Sequence, residues 1–252
     1  MRIVRLPGVH HDANAILILH QGASILIDAG TNWYQALQVE RIRGQLDGCS
    51  EPTLLLLTSK RFIHAAGAAH LASVLGSRVL AHPKAISPLA LGDFFTTWAN
   101  RYDSDFPPVQ AEALEETVPI TLGDLVIQPM AMPGIGEDAM IYHLPAHGIA
   151  IVGGLVPRED LLARWDLPSG SLPDLQASIE RLQGLALKRL IPANGPAIVG
   201  VDRIEQTLER HADALRGIME RGGQLPSGWK RPAPTACFHS PRPAWPRFDG
   251  PQ

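Results

Sequence analysis

The sequence predicts an α/β fold, and two features carry that prediction. Short apolar runs bounded by turn residues alternate with alanine-rich or amphipathic stretches of helical length. One of those runs, Leu54 to Leu57, is continuously apolar, as suits a strand covered on both faces by other layers.

In chain order, Ala13 to Leu19 and Ser24 to Ile27 read as paired strands separated by a turn at Gln21-Gly22. Asp28-Ala29-Gly30-Thr31 closes the second strand. Trp33 to Leu46 then reads as a helix with apolar residues at Trp33, Ala36, Leu37 and Val39. Leu54 to Leu57 is a strand, Ala65 to Leu75 a buried helix and Arg78 to Ala81 a further short strand. Residues 83–116, with Trp98, Tyr102 and the Phe106-Pro107-Pro108 break, read as helical pieces and a loop. Ile120 to Leu122 and Leu125 to Met130 predict a hairpin turning at Gly123-Asp124. Met140 to Leu144 and Ile149 to Val152 predict another, turning at His147-Gly148. Leu172 to Leu187 is an amphipathic helix and Arg189 to Ile191 a strand. Asp202 is expected to cap a final helix that runs to Arg221 and stops at Gly222-Gly223. These elements form one domain, residues 1–225. Residues 226–252 form a Pro-rich tail, where seven prolines between Pro226 and Gln252 forbid regular structure.

Composition narrows the function classes. A chain of 252 residues with 45% hydrophobic and 19% charged side chains can bury a sizeable core. The net charge of −3 and the lack of a Lys/Arg block argue against nucleic acid as a partner. Cys49 and Cys237 lie far apart and make neither a disulfide framework nor a metal knuckle. The opening residues lack the pattern of a signal peptide, and no apolar run approaches the roughly 20 residues of a membrane span, so a cytoplasmic location is expected.

Five segments, in order, resemble the metallo-β-lactamase superfamily. Asp12-Ala13-Asn14-Ala15 with Ile16-Leu17-Ile18 is similar to its opening strand, and Leu26 to Thr31 to its "IDAG" strand end. Leu55 to Gly67 is similar to the strand followed by THxHxDHxGG. Met132 to Ile135 resembles the PGH loop, and Val152 to Val156 the later "TGDxLF" strand end. Ser171 to Pro196 resembles the helix and closing PGHGP loop, here Ile191-Pro192-Ala193-Asn194-Gly195-Pro196. The resemblance implies a four-layer αββα sandwich. It also implies a site where imidazoles and carboxylates hold one or two metals, usually zinc, iron or manganese, and activate a water for hydrolysis.

Against that pattern the ligand residues have changed. The histidines of THxHxDH correspond to Ser59 and Arg61, its aspartate to Ile63, and only its last histidine is retained, as His64. The PGH histidine corresponds to Ile135, the bridging aspartate to Gly154 and the closing histidine to Asn194. Ile63, Ile135 and Gly154 offer no side-chain donor. Arg61 brings a permanent positive charge, and two like charges a few ångströms apart repel by several kcal/mol at an effective dielectric of about 20. No metal and no other cofactor is therefore expected.

The candidate site residues follow from the same correspondence. Ser59, Lys60, Arg61, His64 and Asn194 are candidates for a metal-free pocket that takes a small anion, because guanidinium groups bind carboxylates and phosphates well. Opposed to this is a structural role in which Arg61 fills the vacated space and pairs with Asp28. His64 is a candidate catalytic base, alone or with Ser59 as nucleophile, or else a packed histidine opening the Ala65–Leu75 helix. No Gly-x-Ser-x-Gly elbow surrounds Ser59. His10, His11 and Asp12 read as a surface loop, since adjacent side chains on an extended segment diverge. His82, His143 and His147 read as structural or solvated. Trp229, Phe238, Trp245 and Phe248 give the tail the means to dock on a partner or cover the site mouth, against a disordered extension. The expectation is a pseudoenzyme that binds a small anionic molecule or a protein partner and forms a homodimer. The alternative is a metal-independent or metal-rebuilt hydrolase of esters, thioesters or lactones.

Overall fold

The computed structural model describes residues 1–232 and 236. Phe238, Trp245, Phe248 and Cys237 lie outside the described residues. Among the described residues, twelve strands form two six-stranded sheets. The first holds β1 (Arg2–Leu6), β2 (Ala15–His20), β3 (Ala23–Ile27), β4 (Leu54–Leu56), β5 (Arg78–Ala81) and β6 (Ala111–Ala113), side by side in that order. Its β1–β2–β3 part is antiparallel and its β3–β4–β5–β6 part parallel. The second sheet runs in the reverse sense, from β12 (Ile198–Val199) through β11 (Arg189–Pro192), β10 (Ile149–Gly153), β9 (Met140–Leu144) and β8 (Leu125–Ala131) to β7 (Ile120–Leu122).

The side-chain alternation of strands sorts the core into layers. In β2 and β3, Ile16, Ile18, Ile25 and Ile27 point between the sheets, where they join Tyr142, Leu144, Ile149 and Ile151 of the second sheet. The intervening Leu17, Leu19 and Leu26 face outward onto Val39 and Ile42 of α1 (Gln35–Arg43) and Leu71 and Leu75 of α3 (Ala68–Leu75). α2 (Phe62–Ala65) precedes α3, and α4 (Pro83–Leu91) adds Ala85 and Leu89 to the same layer. On the far side, Ile141, Ala150, Val152 and Leu190 pack on α5 (Leu172–Gln183) and α6 (Val201–Glu220). The result is a four-layer αββα sandwich. Each fully buried Leu or Ile in these layers contributes about 1.5–3 kcal/mol relative to exposure.

Several boundaries differ from the sequence reading, for physical reasons. β1 and β6 are edge strands with mixed exposure, so no clean apolar run announces them. The helix expected from Trp33 begins at Gln35 instead, and Trp33 and Leu37 are both exposed. The single buried helix expected at Ala65–Leu75 is two helices, with His64 inside the first. The final helix has Gly200 at its N-cap, and Asp202 sits in the first turn without capping it. Among the described residues, no helix is long and apolar enough to cross a membrane.

Hydrogen bonds stitch the two sheets together at one end. Tyr142 Oη donates to the Leu57 carbonyl at 2.8 Å, and the Met140 amide donates to the Thr58 carbonyl at 2.9 Å. Asn14 Nδ2 donates to the carbonyls of Pro192 and Gly195 at 3.0 and 3.1 Å. The loops that follow β3, β4, β10 and β11 are thereby held against one another at the carboxyl ends of their strands, where open α/β sheets commonly place ligands.

Candidate functional site

Asp28 leaves β3 with a φ of 61°, a left-handed conformation that costs a non-glycine residue about 1–3 kcal/mol and is retained only where surrounding contacts over-determine it. Here they do. Asp28 Oδ1 accepts from the Thr58 amide at 2.8 Å, and Oδ2 accepts from Thr58 Oγ1 at 2.6 Å. The same Oδ2 lies 2.7 Å from His64 Nδ1, and all three side chains are buried. Gly153 makes room for this cluster: a Cβ there would stand 2.5 Å from Thr58 Oγ1.

An ionised carboxylate only accepts hydrogen bonds, so Asp28 takes a proton on His64 Nδ1 and turns Nε2 the other way. Nε2 faces Gly154, where a Cβ would lie 3.6 Å from it and 2.9 Å from Ile135 Cδ1. Beyond is a cavity of about 740 Å³, with His64, Arg61, Ile135, Gly154 and Asn194 in its wall.

The Arg61–Asp28 pair expected from sequence does not form. Arg61 Nη2 instead donates to the carbonyls of Ile135 and Pro168, the latter at 3.0 Å. Its Nε and Nη1 are buried and have no hydrogen-bond partner among the described residues. Burial lowers the guanidinium pKa to about 10; Asp138 works against the shift, and the neighbouring Arg164 adds to it. Arg61 thus stays cationic at neutral pH. Arg164 is itself paired with Asp166 and lies over the Trp98 ring at 4.6 Å.

Of the predicted site residues, the fold brings Arg61, His64 and Asn194 to one cavity wall. It turns Ser59 and Lys60 elsewhere. Ser59 Oγ donates to Asp138 Oδ2 at 3.3 Å, the Lys60 amide donates to the same oxygen at 2.6 Å, and Lys60 Nζ lies 3.3 Å from Oδ1. Ser59 is therefore not hydrogen-bonded to His64; the imidazole's partners are Asp28 and Thr58. His10 and His11 lie on exposed loop but do reach the cavity wall, with His10 Nδ1 2.7 Å from Tyr34 Oη.

Sequence reasoning missed Thr58, Asp138 and the aromatic side of the cavity. Trp33, Phe62, Trp98 and Tyr102 come from three separate stretches and meet there, with Phe62 and Tyr102 stacked at 4.9 Å. The solitary aromatics of residues 83–116 were the available signal. Among the described residues, no three His, Cys, Asp or Glu side chains group in a way that could hold a metal ion.

Comparison with known proteins agrees with this fold. The family model of the metallo-beta-lactamase superfamily matches residues 9–200. The fold superposes on the BLEG-1 B3 metallo-beta-lactamase with a TM-score of 0.69 at 19% identity, covering 83% of this chain and 98% of that one. It superposes on TTHA1623, solved in a di-iron-bound form, with a TM-score of 0.64 at 25% identity, covering 78% and 94%. For ETHE1 from Myxococcus xanthus the TM-score is 0.67 at 18% identity, covering 90% and 93%. No curated protein matches the chain. With the family model matching residues 9–200, most of its length, the chain belongs to the metallo-beta-lactamase superfamily.

Proposed function

We propose that this chain has abandoned the family's metal centre and uses the same cavity to bind a small anionic ligand. The observation that carries the reading is Arg61: a buried guanidinium in the cavity wall, charged at neutral pH, whose Nε and Nη1 have no hydrogen-bond partner among the described residues. Buried unpaired donors are costly, and an entering anion would relieve that cost. The residues at the corresponding positions do not fit a metal. His64 Nε2 is a single imidazole donor, Ile135 Cδ1 occupies the space beside Gly154, and Arg61 would repel a cation. The di-iron form of TTHA1623 belongs to that protein; among the described residues of this chain no three His, Cys, Asp or Glu side chains group to hold a metal ion.

Two measurements test the reading. The first is elemental analysis of protein expressed with added zinc, iron and manganese, where a stoichiometric, tightly held metal would overturn it. The second is calorimetric titration with simple carboxylates and phosphate against wild type and Arg61→Met. Binding to wild type that weakens at least about tenfold, roughly 1.4 kcal/mol, in the variant is the expected result.

A second reading, hydrolysis of an ester, thioester or lactone, is favoured by the Asp28–His64 pair. His64 Nε2 would take a proton from water as the water oxygen bonds to the acyl carbon. The same proton would then pass to the departing alkoxide or thiolate as the acyl bond breaks. Asn194 and Arg61 are among the cavity groups able to meet charge on the carbonyl oxygen. Turnover across an ester panel that disappears in His64→Ala supports this reading, and background rates throughout remove it.

A further inference from the structure

We infer that the anion taken by the cavity is built on a flat aromatic ring, as in an aryl carboxylate. The inference rests on the anion-binding reading above and adds what the rest of the ligand must be.

The cavity wall next to Arg61 is aromatic. Trp33 meets Phe62 edge-on at 5.3 Å, Phe62 stacks on Tyr102 at 4.9 Å, and Trp98 meets Tyr102 edge-on at 6.0 Å. His11 adds a further ring 5.4 Å from Tyr102. Such pairs are ordinary inside a core, but these rings line open space, and the Trp33 side is 41% exposed. An exposed tryptophan backed by the buried Phe62 ring, with Trp98 and Tyr102 half-buried beside it, gives a rigid apolar surface with ring faces and edges to offer an incoming ring.

Positive charge borders this surface. Phe62 follows Arg61 in the chain, and Tyr102 lies close enough to Arg164, Arg101 and Arg61 for their charges to act on its hydroxyl; Arg101, also in the cavity wall, is exposed to solvent. Arg164 is already engaged by Asp166 and by the Trp98 face, whereas Arg61 Nε and Nη1 have no hydrogen-bond partner among the described residues. Aliphatic residues, among them Ile135, Leu161, Leu162 and Leu167, supply more of the lining. The volume, about 740 Å³, is within the roughly 300–1,000 Å³ that small-molecule sites span and far exceeds what acetate or phosphate would fill. A ligand with a ring against the aromatic wall and its carboxylate toward Arg61 satisfies both features together.

The test uses the full chain and four probes: 2-naphthoate, octanoate, acetate and the neutral 2-naphthamide. Affinity is read by calorimetry, and location by the indole N–H resonances of Trp33 and Trp98. The expected result is that 2-naphthoate binds at least about tenfold tighter than each of the other three and shifts both indole signals. Trp33→Leu, at an exposed position that spares the fold, should weaken 2-naphthoate at least about fivefold and leave acetate unchanged. If octanoate or acetate equals 2-naphthoate, the aromatic inference falls while the anion reading stands. If 2-naphthamide equals 2-naphthoate, the requirement for charge falls, and both readings with it. No binding by any probe overturns both.

Discussion

His64 Nδ1 stands 2.7 Å from Asp28 Oδ2, so a residue at the end of β3 fixes how the imidazole of α2 faces the cavity. Thr58, following β4, holds the same carboxylate through its amide and its hydroxyl. Two strand ends and the helix α2 are thus joined through one buried acid. Asp28→Asn keeps the shape but turns one acceptor into a donor facing donors. It is expected to destabilise the fold by about 3 kcal/mol, since hydrogen bonds to a charged buried group are among the stronger ones. In wild type, nitrogen NMR should find the Nδ1–H form of neutral His64, and the variant should lose that preference. Unchanged His64 signals together with stability within about 0.5 kcal/mol of wild type would remove Asp28 as the orienting group.

The layers were legible in the sequence because alternation in β2 and β3 and the apolar run at β4 are local patterns. The site was legible only where the family's segments could be matched, which led to Arg61, His64 and Asn194. Partner choice was not legible. Arg61 was expected to neutralise Asp28, but the two-residue separation of Arg61 from Ser59 and the turn after β4 carry its guanidinium to Ile135 and Pro168. Asp28 had meanwhile been satisfied by Thr58, a residue whose role depends on the contact between two strand ends. Asp138 was missed for the same reason: its hydrogen bonds reach 78 and 79 positions back along the chain. The aromatic wall gave no periodic signal, because its rings come from three separate stretches rather than one helix face.

Gly154 and Ile135 fit each other. A methyl group at position 154 would meet Ile135 Cδ1 at 2.9 Å, closer than ordinary contact. Gly154→Ala alone should cost about 1–2 kcal/mol through overpacking. Ile135→Val, which removes Cδ1, should cost about 0.5–1.5 kcal/mol alone. Combined, the two should cost about 1 kcal/mol less than their sum, because the shortened side chain admits the new methyl. Denaturant unfolding of the four proteins gives this coupling directly, and strict additivity would show that the two residues do not share the space.

Lys60 and Asp138 form a buried ion pair whose members are not equally replaceable. Asp138→Ala leaves the Lys60 ammonium, only 3% exposed, without its buried counter-charge, and strips Ser59 and the Lys60 amide of their acceptor. The expected cost is about 3–5 kcal/mol. Lys60→Met keeps the apolar stem and leaves Asp138 with both remaining donors, so it should cost clearly less. Urea midpoints of the two variants decide the matter, and equal losses would contradict the asymmetry.

His211, on α6, is buried beneath the Trp229 ring at 4.9 Å, with Nε2 3.2 Å from the Glu159 carbonyl. Burial lowers its pKa to about 4. Between that value and the unfolded value near 6.5 the unfolded chain binds the extra proton and the folded chain does not. Stability from this residue is therefore complete above about pH 6.5 and declines as pH falls toward 4, by roughly 2–3 kcal/mol in total. His211→Gln removes the titration while keeping a donor within reach of Glu159. The variant should lose less stability than wild type between pH 7 and pH 4.5, with the difference saturating once the pH passes below the folded pKa. Parallel denaturant series across that range measure it. Identical pH dependence in the two proteins would mean that other groups, and not His211, govern the acid limb of stability.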